Sequence, residues 1–194
     1  DVMREKHEYF VKKVNNGVAL PVKLAAISAF TEGLALFASF VMLLNFPRHG
    51  KMKGMGQIVT WSIVDETQHA EGVIKLFRTY VEENREVWND ATKGQIYSVC
   101  TKIVELEDQF IDLAYSMGPV KGLRDSELKK YIRYIADRRL ISMGLKGIFK
   151  VKKNPLPWVE EMINAPTHTN FFENRATDYA KGALTGDWNE VWAT

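Results

Sequence analysis

The chain has 194 residues, a formal net charge of +2 and an apolar content of 46%, enough to bury the core of one domain and too apolar for a disordered tail. Its basic residues are scattered among acidic ones and form no stripe with aromatic residues, which argues against a nucleic-acid-binding protein. The only cysteine, Cys100, excludes an intrachain disulfide and is expected to be a buried thiol in a reducing cytoplasm.

The first predicted elements are a short charged helix and a long apolar one. Residues 2–14 show weak amphipathicity, and the Asn and Gly residues that follow favour the end of a helix. A second helix is predicted to run unbroken from residue 21 to residue 46, where Pro47 stops it. This segment is long enough to cross a bilayer, but Glu32 lies at its centre. The cost of a charge inside a membrane therefore favours a helix buried in protein.

The next helix is predicted over residues 51–82 and carries the motif Asp65-Glu66-Thr67-Gln68-His69. Glu66 and His69 are three residues apart, so they lie on the same helical face. A lone Glu-x-x-His is common on solvated helices, but here a stripe at helical spacing surrounds it and predicts that both side chains face a core. The stripe contains Met55, Ile58, Val59, Ser62, Val73 and Phe77. Buried ionisable groups are rare unless they are paired or bind a metal.

Glu32 and Glu66 lie at equal distances along the sequence from His49, which falls in the predicted turn between their helices. In an antiparallel hairpin, both carboxylates would stand at the same height, roughly 20–25 Å from the turn at the usual helical rise. Two carboxylates and an imidazole would then converge from two neighbouring helices. This combination is typical of the metal sites in helical bundles.

A third long helix is predicted over residues 91–116, after an Asn-Asp cap. Most of its acidic residues form a solvated stripe, which includes Asp108 and Asp112. Glu107 projects within the apolar arc instead. We expect it to form a buried ion pair with Arg138 or Arg139 rather than to bind a metal.

The rest of the sequence predicts a helix over residues 127–143 and mostly irregular chain from residue 154, with one helical turn near 160–163. Its prolines favour extended backbone. The sequence contains no alternation typical of strands. The predicted fold is therefore all-α, a single domain over residues 1–194 with long antiparallel helices and an irregular C-terminal segment.

These motifs resemble the small, radical-generating subunit of class I ribonucleotide reductase, which is a ferritin-like helical bundle. Residues 31–40 and 64–69 are similar to the second pair of metal-binding helices in that family, with the same separation of the two glutamates. The resemblance extends to Ala136-Asp137-Arg138-Arg139-Leu140, to Asn154-Pro155-Leu156-Pro157-Trp158 and to residues 168–175.

The resemblance implies that Glu32, Glu66 and His69 are ligands of the second metal in a di-iron or dimanganese centre. It implies that Asp65 couples proton and electron movement between that centre and a distant tryptophan. By the same resemblance, the centre would generate the radical with which ribonucleoside-diphosphate reductase makes deoxyribonucleotides for DNA replication.

The resemblance also implies that Leu36, Phe40 and Ser62 line the pocket of a radical-bearing tyrosine. The family usually has a bulky aliphatic residue at the position of Ser62 and an arginine at the position of Val64. Both departures lie beside the ligand positions and change none of them.

A complete site of this type takes ligands from four helices, whereas this sequence offers one Glu-x-x-His and one further carboxylate. The resemblance therefore implies the C-terminal half of the subunit, with the remaining ligands and the tyrosine in a complementary N-terminal half. The other implied partners are a second small subunit and the large catalytic subunit, with no membrane partner.

Two alternatives remain open from the sequence. Two copies of the chain could pool their ligands across a two-fold axis and form a di-metal carboxylate bundle. The chain could instead be a non-catalytic interaction or scaffold protein that uses the exposed apolar face of half a bundle.

Overall fold

The computed structural model describes residues 2–14 and 18–164, and within them every regular element is helical. The predicted all-α fold is confirmed. The elements are α1 (Val2–Glu8) with a π-helical extension (Tyr9–Val14), α2 (Leu20–Ala25), a π-helix (Ala26–Glu32), α3 (Phe37–Arg48), α4 (Lys53–Glu83), a 3-10 turn (Arg85–Val87), α5 (Asp90–Tyr115), α6 (Asp125–Ser142) and α7 (Pro157–Asn164).

The core lies where α4 and α5 pack against the apolar segment that contains α2, the π-helix and α3. The helix α6 closes the other side of α5, and α1 packs along α5 as well. Fully buried apolar side chains from each layer meet there, and each contributes roughly 1.5–3 kcal/mol through burial. They include Phe30, Leu44, Ile63, Phe77, Ile103 and Ile132. Cys100 is buried among them as the sequence predicts.

The predicted unbroken helix over residues 21–46 is wrong, because the helix is interrupted beside Glu32. The backbone N–H groups of Gly33 and Ala35 donate to carbonyls five residues earlier, at 3.1 and 3.0 Å. The Thr31 hydroxyl donates to the Ala26 carbonyl at 3.0 Å. Side-chain hydroxyls of this kind compete with backbone N–H groups for helix carbonyls. The result is a π-helical stretch and then a turn over residues 33–36, after which α3 begins.

One stretch of the described residues, Leu20–Arg48, is long and apolar enough to cross a membrane by length and composition. In the bundle, 56% of its most apolar segment is buried.

Glu107 is completely buried, but its ion-pair partner is Lys6 of α1 rather than the predicted Arg138 or Arg139. The sequence could not show this because α1 reaches Glu107 only through the packing of the bundle. Lys6 also donates to the carbonyl of Ala35 at 2.5 Å. Burial raises the pKa of the Glu107 carboxyl to about 7, and Lys6 opposes this effect.

The sequence predicts that the acidic stripe of α5 is solvated. In the structure, two of its carboxylates contact basic side chains of α6 instead. Asp108 Oδ2 lies 2.5 Å from Arg133 Nη2, and Asp112 Oδ1 lies 2.5 Å from Lys129 Nζ. These contacts form because α5 and α6 pack side by side.

The predicted single turn near residues 160–163 is a longer helix, α7 (Pro157–Asn164). Pro157 occupies its first position, where the missing N–H and the fixed φ of proline suit a helix start. The Arg48 guanidinium lies 4.4 Å from the ring centroid of Trp158, which ties α7 to the end of α3. Residues 168–175, which carry part of the family resemblance, lie outside the described residues.

Replacing Glu107 with Gln should flatten the pH dependence of stability. In the native chain the Glu107 pKa of about 7 exceeds its ordinary value of 4.5, so the native state holds the proton more tightly. The free energy of unfolding should therefore fall by up to about 3 kcal/mol as pH rises through that interval.

Urea denaturation between pH 4.5 and pH 8 measures this slope. We expect E107Q to lose the slope whatever its overall stability, and E105Q, which changes an exposed carboxylate of the same helix, to keep it. Parallel profiles for wild type and E107Q would contradict the assignment.

Candidate metal centre

Glu32, Glu66 and His69 come together between two antiparallel segments. Glu32 is the last residue of the π-helix, while Glu66 and His69 lie near the middle of α4. One ligand atom from each residue lies within 4.8 Å of the other two. This is the juxtaposition that the equal spacing about His49 predicts.

The local geometry supplies the donors of a metal site. His69 Nδ1 lies 3.9 Å from Glu66 Oε2, and His69 Nε2 lies 3.6 Å from Asp65 Oδ1. Glu32 Oε2 is buried and has no hydrogen-bond partner among the described residues. A buried carboxylate oxygen without a partner is costly unless a cation or proton satisfies it. Two carboxylates and an imidazole also suit iron or manganese, so the residues present fit such an ion.

The expectation that Glu66 and His69 face a dry core is wrong for this chain. The Glu66 side chain is 26% exposed and that of His69 is 54% exposed. The predicted stripe combined two neighbouring faces of α4, because Val59 and Phe77 are buried whereas Ile58 is 50% exposed. The face that packs into the core is rotated away from His69. Its buried residues are Gly54, Gly56, Val59, Ile63, Ala70, Ile74 and Phe77.

The three residues assigned by resemblance to a radical pocket are all at least partly exposed. Leu36 is exposed, and Ser62 is half-buried with its hydroxyl donating to the Ile58 carbonyl at 3.1 Å. Phe40 is half-buried and meets Phe37 edge to face, with 5.9 Å between ring centroids. Asp65 is also exposed, beside the His69 ring.

Two basic residues that the sequence does not connect with the site reach the turn just after Glu32. Arg139 Nε donates to the Gly33 carbonyl at 3.1 Å, and Lys6 Nζ donates to the Ala35 carbonyl. One sequence signal exists for Arg139: it falls near Ala136 and Leu140, on the side of α6 that is buried. A charge placed there needs a buried partner, but the sequence does not show which one.

The fold and the site together define a helical-bundle protein with a carboxylate–histidine cluster. Residues 1–155 match the family model described as "Ribonucleotide reductase, small chain". The chain belongs to the ribonucleotide reductase small-chain family.

Curated relatives of the chain carry names from the same family. The chain is 54% identical over 170 residues to a probable ribonucleoside-diphosphate reductase small subunit of Invertebrate iridescent virus 3, a match that covers 87% of this chain and 45% of that protein. It is 40% identical over 148 residues to a ribonucleoside-diphosphate reductase subunit beta of Chlamydia pneumoniae, covering 76% of this chain and 42% of that protein. The chain thus spans about half the length of the curated relatives it matches.

The fold is also similar to that of solved structures. A ribonucleotide reductase R2 subunit from Clostridium botulinum superimposes with a TM-score of 0.65 at 23% identity, covering 73% of this chain and 44% of that one. A Bacillus halodurans protein described as a "putative class I ribonucleotide reductase" gives a TM-score of 0.75 at 23% identity, covering 84% of this chain and 60% of that one. At this identity the likeness shows the fold, which is that of ferritin-like R2 proteins.

Adding a methyl group at Gly33 should displace the turn that follows Glu32. A Cβ there would lie 2.7 Å from the Ala29 carbonyl oxygen and 2.9 Å from that of Ser28, and backbone atoms cannot move aside cheaply. We expect G33A to lower the free energy of unfolding by roughly 1–3 kcal/mol, the usual cost of overpacking. Urea denaturation measures this change.

Gly94 of α5 provides the matched control, since nothing lies within 4 Å of a Cβ built there. G94A should raise stability by up to about 1 kcal/mol, because alanine favours the helix more than glycine does. If both substitutions changed stability in the same direction, the steric account of Gly33 would be wrong.

Proposed function

We propose that the chain is part of a ribonucleoside-diphosphate reductase small subunit, in which Glu32, Glu66 and His69 hold one metal of a dinuclear centre. The observation that carries the proposal is the convergence of these three side chains within 4.8 Å. The partnerless buried oxygen of Glu32 supports it, because a cation would satisfy that oxygen. Membership of the small-chain family supports the same conclusion.

Each residue has a separate task in this proposal. The two carboxylates neutralise the charge of the ion, and the imidazole adds a nitrogen donor. The His69 ring lies between two carboxylates, so Nδ1 can bind the ion while Asp65 orients the ring from the Nε2 side. Asp65 is thereby placed to hold or pass a proton. When bound, the iron or manganese pair supplies the one-electron oxidation that generates the radical used to reduce ribonucleotides.

The proposal includes a complementary N-terminal half that covers the site and supplies the remaining ligands. Its support is the open face around His69, because Ile58, three turns earlier on the same face of α4, is 50% exposed, and Leu36, four residues after Glu32, is 39% exposed. Large apolar side chains exposed together mark a surface that a partner covers. Leu36, Phe40 and Ser62 would then line a closed pocket for the tyrosine. A small-subunit dimer, the large catalytic subunit and a cytoplasmic location belong to the same proposal.

The full chain alone should bind a divalent metal weakly, through its three ligands, and should form no radical. Titration with MnCl2, with free Mn2+ measured by electron paramagnetic resonance, gives the affinity. Because losing even an outer contact of a metal site costs 10–100-fold, E66Q should weaken binding at least roughly 100-fold.

The matched control is E82Q, which changes an exposed carboxylate of the same helix and should bind as the wild type does. Equal Mn2+ binding by wild type and E66Q would overturn the metal site. A two-metal centre with a tyrosyl radical in the isolated chain would instead overturn the half-site proposal.

Sedimentation velocity separates the proposed assembly from a site formed by two copies of this chain. We expect MnCl2 alone to leave the sedimentation coefficient unchanged. Addition of the complementary N-terminal half should give a 1:1 complex, stabilised by Mn2+, with two bound ions per complex. A homodimer that forms with one Mn2+ per chain, and that E66Q abolishes, would favour the self-associating bundle.

A further inference from the structure

The turn that follows Glu32 is held by basic side chains at both ends. Gly33 and Ala35 lie where the π-helix has ended and α3 has not begun, so their carbonyls lack the usual helical partners. Arg139 of α6 donates to the first carbonyl, and Lys6 of α1 donates to the second. Cations also suit the negative end of a helix dipole. The turn is therefore anchored from two helices that contribute no candidate metal ligand.

Lys6 also forms an ion pair with the buried carboxylate of Glu107. Arg139 has no comparable partner: among residues 2–14 and 18–164, no carboxylate forms an ion pair with it. Burial lowers the pKa of its guanidinium, and Glu71 opposes this only from a distance. Burying a charge is costly, so the contact with Gly33 is the described interaction that offsets this cost.

The contact between the turn and Arg139 is also sterically close. A Cβ at position 33 would lie 2.8 Å from Arg139 Nε, so only glycine lets the backbone approach the guanidinium this closely. Arg139 lines a cleft of about 520 Å³ on one side and one of about 270 Å³ on another. The Arg139 side chain is thus bordered by open space on two sides, and its hydrogen bond holds the Gly33 carbonyl while the Gly33 N–H donates to the Ser28 carbonyl at 3.1 Å.

We propose that Arg139 is a positioning residue for Glu32. By holding the Gly33 carbonyl, it fixes the end of the π-helix and keeps the Glu32 carboxylate beside Glu66 and His69. The inference rests on the proposed function in one respect, that Glu32 binds a metal.

Two substitutions separate the hydrogen bond from the bulk and charge of the side chain. The amide nitrogen of glutamine is as many bonds from the backbone as Arg Nε, so R139Q keeps a donor for the Gly33 carbonyl. R139M has a similar length and no donor. R138M is the control, since Arg138 is exposed on the same helix and has no described contact with the turn.

The first measurement is hydrogen exchange of residues 26–37 in the metal-free full chain, followed by mass spectrometry. We expect R139M to speed exchange in this segment about tenfold while α5 remains as protected as in the wild type. R139Q and R138M should stay within about threefold of the wild type. Unchanged exchange in R139M, or equal acceleration in R139Q, would overturn the inference.

The second measurement is the MnCl2 titration of the same variants. R139M should weaken binding by roughly 10–100-fold, as changes in the outer contacts of metal sites do, and R139Q should largely restore it. Faster exchange in R139M with wild-type Mn2+ affinity would also overturn the inference, because Arg139 would then be merely structural. If the proposed metal site is wrong, the wild type and E66Q will bind Mn2+ with the same affinity. Hydrogen exchange would still show in that case whether Arg139 anchors the turn.

Discussion

The arrangement of the candidate site depends on one feature of the backbone, the π-helical stretch that ends at Glu32. An extra residue in a helical turn rotates everything beyond it by about 100° around the axis. The hydrogen bonds that span five residues, from Gly33 to Ser28 and from Ala35 to Phe30, therefore determine which neighbour the Glu32 carboxylate meets. With these bonds in place, the carboxylate faces α4 and its glutamate–histidine pair. Departures from α-helical geometry of this kind are frequent at functional sites.

The turn after Glu32 also shows how this bundle uses buried charge. Lys6 and Glu107 form a buried pair, and Arg139 brings a further cation from the opposite side. Buried ion pairs contribute little net stability, because the cost of removing both charges from water offsets their attraction. Their value here is geometric, since a charged donor has few positions in which its hydrogen bonds are satisfied. α1 and α6 thus act on the candidate site without contributing a ligand to it.

How far the sequence could predict this structure follows from which signals are local. The long helices α4, α5 and α6 carry helical periodicity, and their bounds are predicted within a few residues. The start of α5 also has a cap that the sequence reveals, the Asn89 side chain that accepts from the Thr92 N–H. The meeting of Glu32 with Glu66 is also predictable, because two antiparallel helices joined by a short turn align residues at equal distances from it.

The errors concern features that depend on tertiary packing. Hydroxyl groups that compete for carbonyls are common in ordinary helices, so Thr31 does not reveal a π-helix. The partner of Glu107 lies about a hundred positions away, on a helix whose placement the sequence does not specify. The exposure of His69 could not be predicted because apolar residues occur on two neighbouring faces of α4. The sequence does not show that the face with Val59 is buried while the face with Ile58 and His69 is exposed.

The open position of His69 has a thermodynamic consequence under the proposed function. At a site on an uncovered face, water competes for the metal and screens the carboxylates, so the affinity for the metal is lower. A covering partner that adds ligands also excludes this water, so each binding event strengthens the other through the same free energy of coupling. Metal uptake and assembly would then be two measures of one equilibrium. The position of Glu32 contributes to both, because a misplaced carboxylate weakens the site from which the coupling arises.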